Sequence, residues 1–324
     1  MAHPSPLEEP VAAAAAARFG RRVRAYQQLS KLYVFDQYLG VPLAWSLLDP
    51  AAATAARTLA VLAACLVCVV AVVAASVALD DVQGFRDGSD SVNYGPREGL
   101  PRKRSRKPLL DGRLSERDAL RFAKASAGLG LVALAVAFAV APHRPLWVWV
   151  AAGGCTLASL QYSWGVKLSY VGLEEPILIA GTACTMLIPF GFVTGRATAA
   201  AGAEAALFGF WMMSVSVFSN THDADGDRQV RRLTVPARVS ARANRRFILV
   251  VFGCCWGLLL GGLLTGALPW WLALAILPGL ALQMRQLRTG LGAGDNLLAR
   301  TIGFKAYRAA IAALIASNLL AWLR

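Results

Sequence analysis

Runs of apolar residues, several of them about 18 to 22 long and nearly free of charge, alternate with short polar segments along most of the chain. The clearest cover residues 59–79, 123–140, 146–164, 177–194, 205–219, 247–265, 268–284 and 306–323, and a weaker one covers 33–48. Such runs suit helices crossing a hydrocarbon layer about 30 Å thick, where the backbone must satisfy its own hydrogen bonds. The pattern predicts an all-α polytopic membrane bundle of about nine transmembrane helices. Asp36 lies within the weak span, and an ionisable residue inside a bundle marks a polar cavity.

Composition agrees with this reading. Of 324 residues, 56% are hydrophobic and 16% charged, too little polar surface for a soluble domain. A net charge of +14 would suggest nucleic acid as the partner of a soluble chain, but the placement of the basic residues points to topology instead. Arg18, Arg21, Arg22, Arg24 and Lys31 precede the first span. Arg97, Arg102, Lys103, Arg104, Arg106, Lys107, Arg113 and Arg117 follow the second, Lys167 the fourth, and Arg228 through Arg246 the sixth. Arg285, Arg288 and Arg300 follow the eighth, whereas the alternate loops hold only Arg57, Arg144 and Arg196. Nine spans place every strongly basic segment on one side, which the positive-inside rule assigns to the cytosol, with Arg324 on the other. The expectation is an integral membrane protein, bacterial by its alanine- and arginine-rich composition, with membrane lipid around it and no nucleic-acid partner.

Cys65, Cys68, Cys155, Cys184, Cys254 and Cys255 all fall inside apolar spans, where a thiol acts as a small hydrophobe, so the CxxC of Cys65 and Cys68 is read as packing. Three histidines, His3, His143 and His222, leave no basis for a histidine-rich metal centre. Residues 1–31 carry Pro4, Pro6, Pro10 and a run of alanines and are expected to form a mobile basic tail; residues 32–324 form the bundle.

Two polar segments carry chemistry. The first holds Asp80, Asp81, Asp87 and Asp90 after the second span; the second holds Asn220, Asp223, Asp225 and Asp227 after the sixth. Clustered carboxylates repel one another unless cations neutralise them. On a helix, Asn220, Asp223 and Asp227 share one face. Oxygen ligands of this kind suit magnesium, which shares a few carboxylates with substrate phosphates. A calcium loop over 223–227 lacks the downstream ladder and closing glutamate.

Taken together, these segments resemble those of the UbiA superfamily of intramembrane prenyltransferases. The stretch 223–227 is similar to that family's second aspartate motif, with Asn220 before it and Arg232-Leu233-Thr234-Val235-Pro236 after it. The first motif resembles the family's longer-spaced variant, found in naphthoate prenyltransferases, with Asp80 at the usual asparagine and Gly84 at the middle aspartate; Asp87 is the substitute carboxylate expected there. Residues 162–173 resemble the tyrosine-to-lysine segment after the fourth helix, and the likeness runs from about residue 33 to 323.

The resemblance implies a cytosol-facing active-site cavity in which Mg2+ on Asp81, Asp87, Asp90, Asp223 and Asp227 bridges the diphosphate of a prenyl diphosphate, with Lys167 as a further catalytic charge. Asn220, Arg86, Arg104, Arg106 and Lys107 would hold the substrate, and Tyr162, Trp164 and Trp211 would wall the allylic cation, together with Phe208 and Phe210. The implied reaction is prenyl transfer to an aromatic or quinone-precursor acceptor; its rival is a membrane terpene cyclase of the same superfamily, which needs no acceptor. A transporter would carry its charges near the midplane of broken helices rather than at helix ends. Phospholipid synthases using a cytidine nucleotide need a longer aspartate-glycine-alanine-arginine pattern, which the chain lacks.

Overall fold

The computed structural model describes residues 8–95 and 103–323; His3, Pro4, Pro6, Arg97, Arg102 and Arg324 of the sequence lie outside them. The described residues form fourteen α-helices and no strand: α1 (Glu8–Ser30), α2 (Gly40–Ser46), α3 (Pro50–Thr54), α4 (Ala56–Asp87), α5 (Ser89–Asn93), α6 (Glu116–Val140), α7 (Leu146–Leu160), α8 (Glu174–Thr194), α9 (Ala199–Gln229), α10 (Val235–Arg238), α11 (Ala241–Leu264), α12 (Leu272–Ala275), α13 (Leu277–Leu287) and α14 (Asn296–Ala321).

Every apolar run carries helix, but among the described residues only α4, α6, α8, α9, α11 and α14 are long and apolar enough to cross a membrane. The other three runs differ for local reasons. The weak first run begins as a 3-10 turn at Asp36–Leu39 before α2. The fourth stops at Leu160, so Tyr162 and Trp164 lie in a loop closed by Gly165 at φ 60°. The eighth is broken by Pro269 and by Pro278 at the start of α13, neither of which can donate a helical hydrogen bond. Conversely, α4 and α9 run on beyond their apolar windows, so both acidic clusters sit largely on helix ends rather than in loops.

The segment expected as a mobile tail is helical from Glu8. Its alanines are strong helix formers, and Ala25 and Leu29, one turn apart, are fully buried against Ala78 and Val82 of α4 and Ala119 and Ala123 of α6. Lys31 follows with a left-handed backbone (φ 49°) that ends α1 over the polar end of α4.

Within lipid, helices associate through close packing of small residues more than through the hydrophobic effect. Alanines line the α4–α6 contact, and Gly130 on α6 admits Val72 of α4. α6 starts with a reciprocal capping box between Ser115 and Asp118. α9 is the most enclosed long helix; it packs against α8, α11 and α14, burying Phe208 and Trp211 with Met186 and Tyr307. The polar ends of α4 and α9 meet through α5, where Gly226 comes so close to Asn93 that an added Cβ would lie 2.2 Å from its side chain.

Candidate active site

A chamber of about 160 Å3 opens between the polar ends of α4, α5, α8 and α9. Asp80 and Asp90 line it from one side, Asn220, Asp223 and Asp227 from the other, and Lys31, Arg106, Lys107, Arg232 and Arg300 are interleaved with them. The two acidic segments, four apolar runs apart in sequence, thus share one cavity.

The second cluster owes its geometry to α9, whose helical repeat brings Asn220, Asp223 and Asp227 to the chamber. Asn220 donates to Glu174 at 2.7 Å, and Asp227 accepts from the Thr234 hydroxyl at 2.9 Å. Asp225 points away, 70% exposed, and pairs with Arg228 at 2.6 Å.

The first cluster is folded back on itself. α4 ends at Gly88, whose left-handed backbone (φ 83°) turns the chain so that α5 returns Asp90 over Gly84. A Cβ on Gly84 would lie 2.7 Å from the Asp90 carboxyl carbon. Asp90 therefore fills the space at Gly84 that Asp87 was expected to supply. Asp87 accepts instead from the Tyr170 hydroxyl, from Gln83 at 3.2 Å and from the Ser89 N–H at 3.0 Å, and does not line the chamber. Overpacking of this kind costs about 1–3 kcal/mol, so Gly84→Ala is expected to lower the thermal midpoint in detergent, whereas Gly128→Ala, with open space at its Cβ, should not.

Asp81 is fully buried behind the chamber wall. Its Oδ1 accepts from Lys31 and from Lys107 (2.7 Å), Lys107 also reaches Asp90 at 2.6 Å, and Asp81 Oδ2 is buried with no hydrogen-bond partner. Burial, reinforced by the charge of Asp81, pushes Asp90 up to about 6 against the pull of Lys107. Burial works against the charge on Lys107, but Asp81 and Asp90 outweigh it and hold the ammonium well above its ordinary range.

A second ion network crosses the chamber. Arg232 lies 3.1 Å from Asp80 and 3.1 Å from Glu174, and donates to the Tyr162 hydroxyl at 3.2 Å; Ser163 also donates to Asp80 at 2.6 Å. Burial disfavours the guanidinium, yet Glu174 and Asp80 keep it firmly protonated.

Several expected residues lie elsewhere. Arg86 pairs with Glu116 at 2.6 Å and covers Trp164 at 4.9 Å, because that side of the α4 end faces α6. Arg104 is exposed and, among the described residues, reaches the Leu110 carbonyl at 3.4 Å. Lys167, left-handed at φ 55°, sits over Tyr170 at 5.4 Å rather than in the chamber. Trp211 is sealed in the core at 1% exposure, and Met212 and Val215 line the chamber instead. Tyr162 is in place, joined by Phe35 and Phe304, which sequence reasoning did not single out. Nor did it single out Lys31, Glu174 or Arg232 as site residues; the available signal was Glu174-Glu175 opening an apolar run, a place where carboxylates need partners.

Comparison with known proteins fits this arrangement. The UbiA prenyltransferase family model matches residues 39–304. The chain belongs to that family. Among solved structures, a study of digeranylgeranylglyceryl phosphate synthase gives a TM-score of 0.61 at 12% identity, covering 92% of this chain and 99% of that one. A UbiA homolog from Archaeoglobus fulgidus bound to GPP and Mg2+ gives 0.54 at 13% identity, covering 93% and 100%. The same homolog bound to DMAPP and Mg2+ gives 0.52 at 12%, covering 94% and 98%. Among curated proteins no sequence match is found. At these identities the solved structures show that this UbiA family member shares their fold.

Proposed function

We propose that this protein cleaves a prenyl diphosphate with the help of magnesium and transfers the prenyl group to an aromatic or quinone-precursor acceptor. The observation that carries this reading is the convergence of Asp90 with Asp223 and Asp227 on one chamber that also holds Lys107 and Arg232. A diphosphate needs both kinds of group: cations and donors for its oxygens, and carboxylates to hold the metal that bridges it.

The residues suit magnesium best at the second cluster, where Asn220, Asp223 and Asp227 offer oxygen donors to the chamber. Among the described residues no three His, Cys, Asp or Glu side chains gather closely enough to hold a metal unaided. That suits an ion completed by substrate phosphate and water. Asp90 is the matching carboxylate of the first cluster, with Asp81 behind it held by Lys31 and Lys107. When bound, magnesium supplies Lewis-acid stabilisation of the departing diphosphate.

The chain's own groups do the rest. Lys107 and Arg106 offer hydrogen bonds to phosphate oxygens, and Arg232 keeps Tyr162 and Glu174 in position. Tyr162, Phe35 and Phe304 line the chamber, where aromatic rings would stabilise the allylic cation left by ionisation. The same reading places nine crossings in a cell membrane with the chamber facing the cytosol.

Incubating the purified protein in detergent with magnesium and prenyl diphosphates of several lengths, with and without a panel of aromatic acids and phenols, tests the reading. Diphosphate release that depends on an acceptor is expected. Cyclic terpene formed from prenyl diphosphate alone would make the protein a cyclase instead, and no release under either condition would remove the enzymatic reading.

A further inference from the structure

Two smaller cavities continue from the polar chamber. The first, about 150 Å3, shares Phe35, Asp80, Tyr162 and Leu178 with it. The second, about 70 Å3, shares Val73, Ser159, Gly181 and Thr185 with the first and is bounded by Cys65, Cys68, Cys155 and Cys184. On α4 the lining passes from Asp80 through Val77, Val73 and Val69 to Cys65, a single helix face extending about 22 Å at 1.5 Å per residue. Charge is confined to the chamber end, and the rest of the wall, built from α4, α7 and α8 with Phe35, Gln37, Tyr162 and Leu134 of α6, carries none.

We propose that these two cavities hold the prenyl chain and that Gly181 sets the length of chain the protein accepts. The inference rests on the reading of the chamber as a diphosphate site. Gly181 lines both cavities, at the point where one passes into the other. A Cβ placed on it would meet nothing within 4 Å, so the space at this level of α8 exists because the side chain is missing. An apolar cavity of about 150 Å3 takes a molecule of benzene's size. The first cavity thus takes roughly one isoprene unit, and the second takes the larger part of another. A ten-carbon chain fills the pair.

Gly181→Phe tests this, because a Cβ at this position meets nothing within 4 Å and the ring would add its bulk at the junction. Binding of five- and ten-carbon prenyl diphosphates to the full-length protein in detergent is measured by isothermal calorimetry with magnesium present. In the natural protein the ten-carbon ligand is expected to bind at least ten times more tightly, since burial of its second unit adds apolar contact. In Gly181→Phe that ratio is expected to fall at least tenfold. A second measurement needs no variant: alkylation of Cys68 and Cys184 by a small uncharged maleimide, followed by mass spectrometry, should be slowed by the ten-carbon ligand and not by the five-carbon one. An unchanged ratio in Gly181→Phe, or equal labelling with both ligands, overturns the proposal and sends the chain out between helices into lipid. If neither ligand binds the natural protein, the diphosphate reading fails as well.

Discussion

Asp227→Asn is expected to lower diphosphate release on the order of 100- to 1,000-fold without unfolding the protein. The substitution removes one negative charge and little else. Thr234 can still donate to the amide oxygen, as it does now to the carboxylate at 2.9 Å, and the side chain stays 5% exposed in the wall of the chamber. What is lost is an anionic oxygen donor on the side best suited to a divalent cation, shared with Asp223 on the same helix. Asp225→Asn is the internal control: its carboxylate is exposed and paired with Arg228, and less than about a twofold effect follows from so solvated a pair. Release assays on the two variants, with thermal midpoints to confirm folding, check the prediction. Equal effects of the two substitutions would refute the assignment of the chamber-facing side.

Arg232→Met should act mainly on stability. Arg232 bridges Asp80 and Glu174 with its side chain only 15% exposed, and it also covers the Tyr162 ring at 5.4 Å. Removing one partner of such a network leaves buried charge uncompensated, which costs about 3–5 kcal/mol. The thermal midpoint in detergent should drop sharply, and Glu174→Gln in the same chain should recover part of the loss, because it removes one of the orphaned charges. A double-mutant cycle reads the coupling directly. Additive losses would show that the pair does not interact across the chamber.

The difference between the two acidic clusters explains how much was legible in the sequence. Asn220, Asp223 and Asp227 lie on one uninterrupted helix, so their spacing alone fixes their common face. The first cluster straddles Gly88, where the chain reverses through a left-handed residue; spacing then says nothing about geometry, and Asp90 rather than Asp87 reaches the chamber. Lys31, Glu174 and Arg232 come from three separate segments, and only tertiary folding brings them to Asp81 and Asp80. Their charges were visible, but the positive-inside pattern already accounted for the two basic ones, which hid their second role. The apolar runs located every described helix long and apolar enough to cross a membrane, because lipid and protein interior impose the same demand on composition. They overstated the fourth and eighth, where hydropathy continues through a glycine-closed loop and past two prolines that interrupt the helix. The basic N-terminal segment was expected to be mobile, yet Ala25 and Leu29 near its end pack against the equally small residues of α4 and α6.

The most direct test of the shared chamber is a structure of the protein with manganese and a prenyl thiodiphosphate, which is cleaved slowly. The account predicts the diphosphate between Asp90 and the Asp223–Asp227 face, anomalous signal from manganese beside Asp223 and Asp227, and phosphate oxygens within hydrogen-bonding distance of Lys107. Diphosphate or manganese bound away from these residues would contradict it.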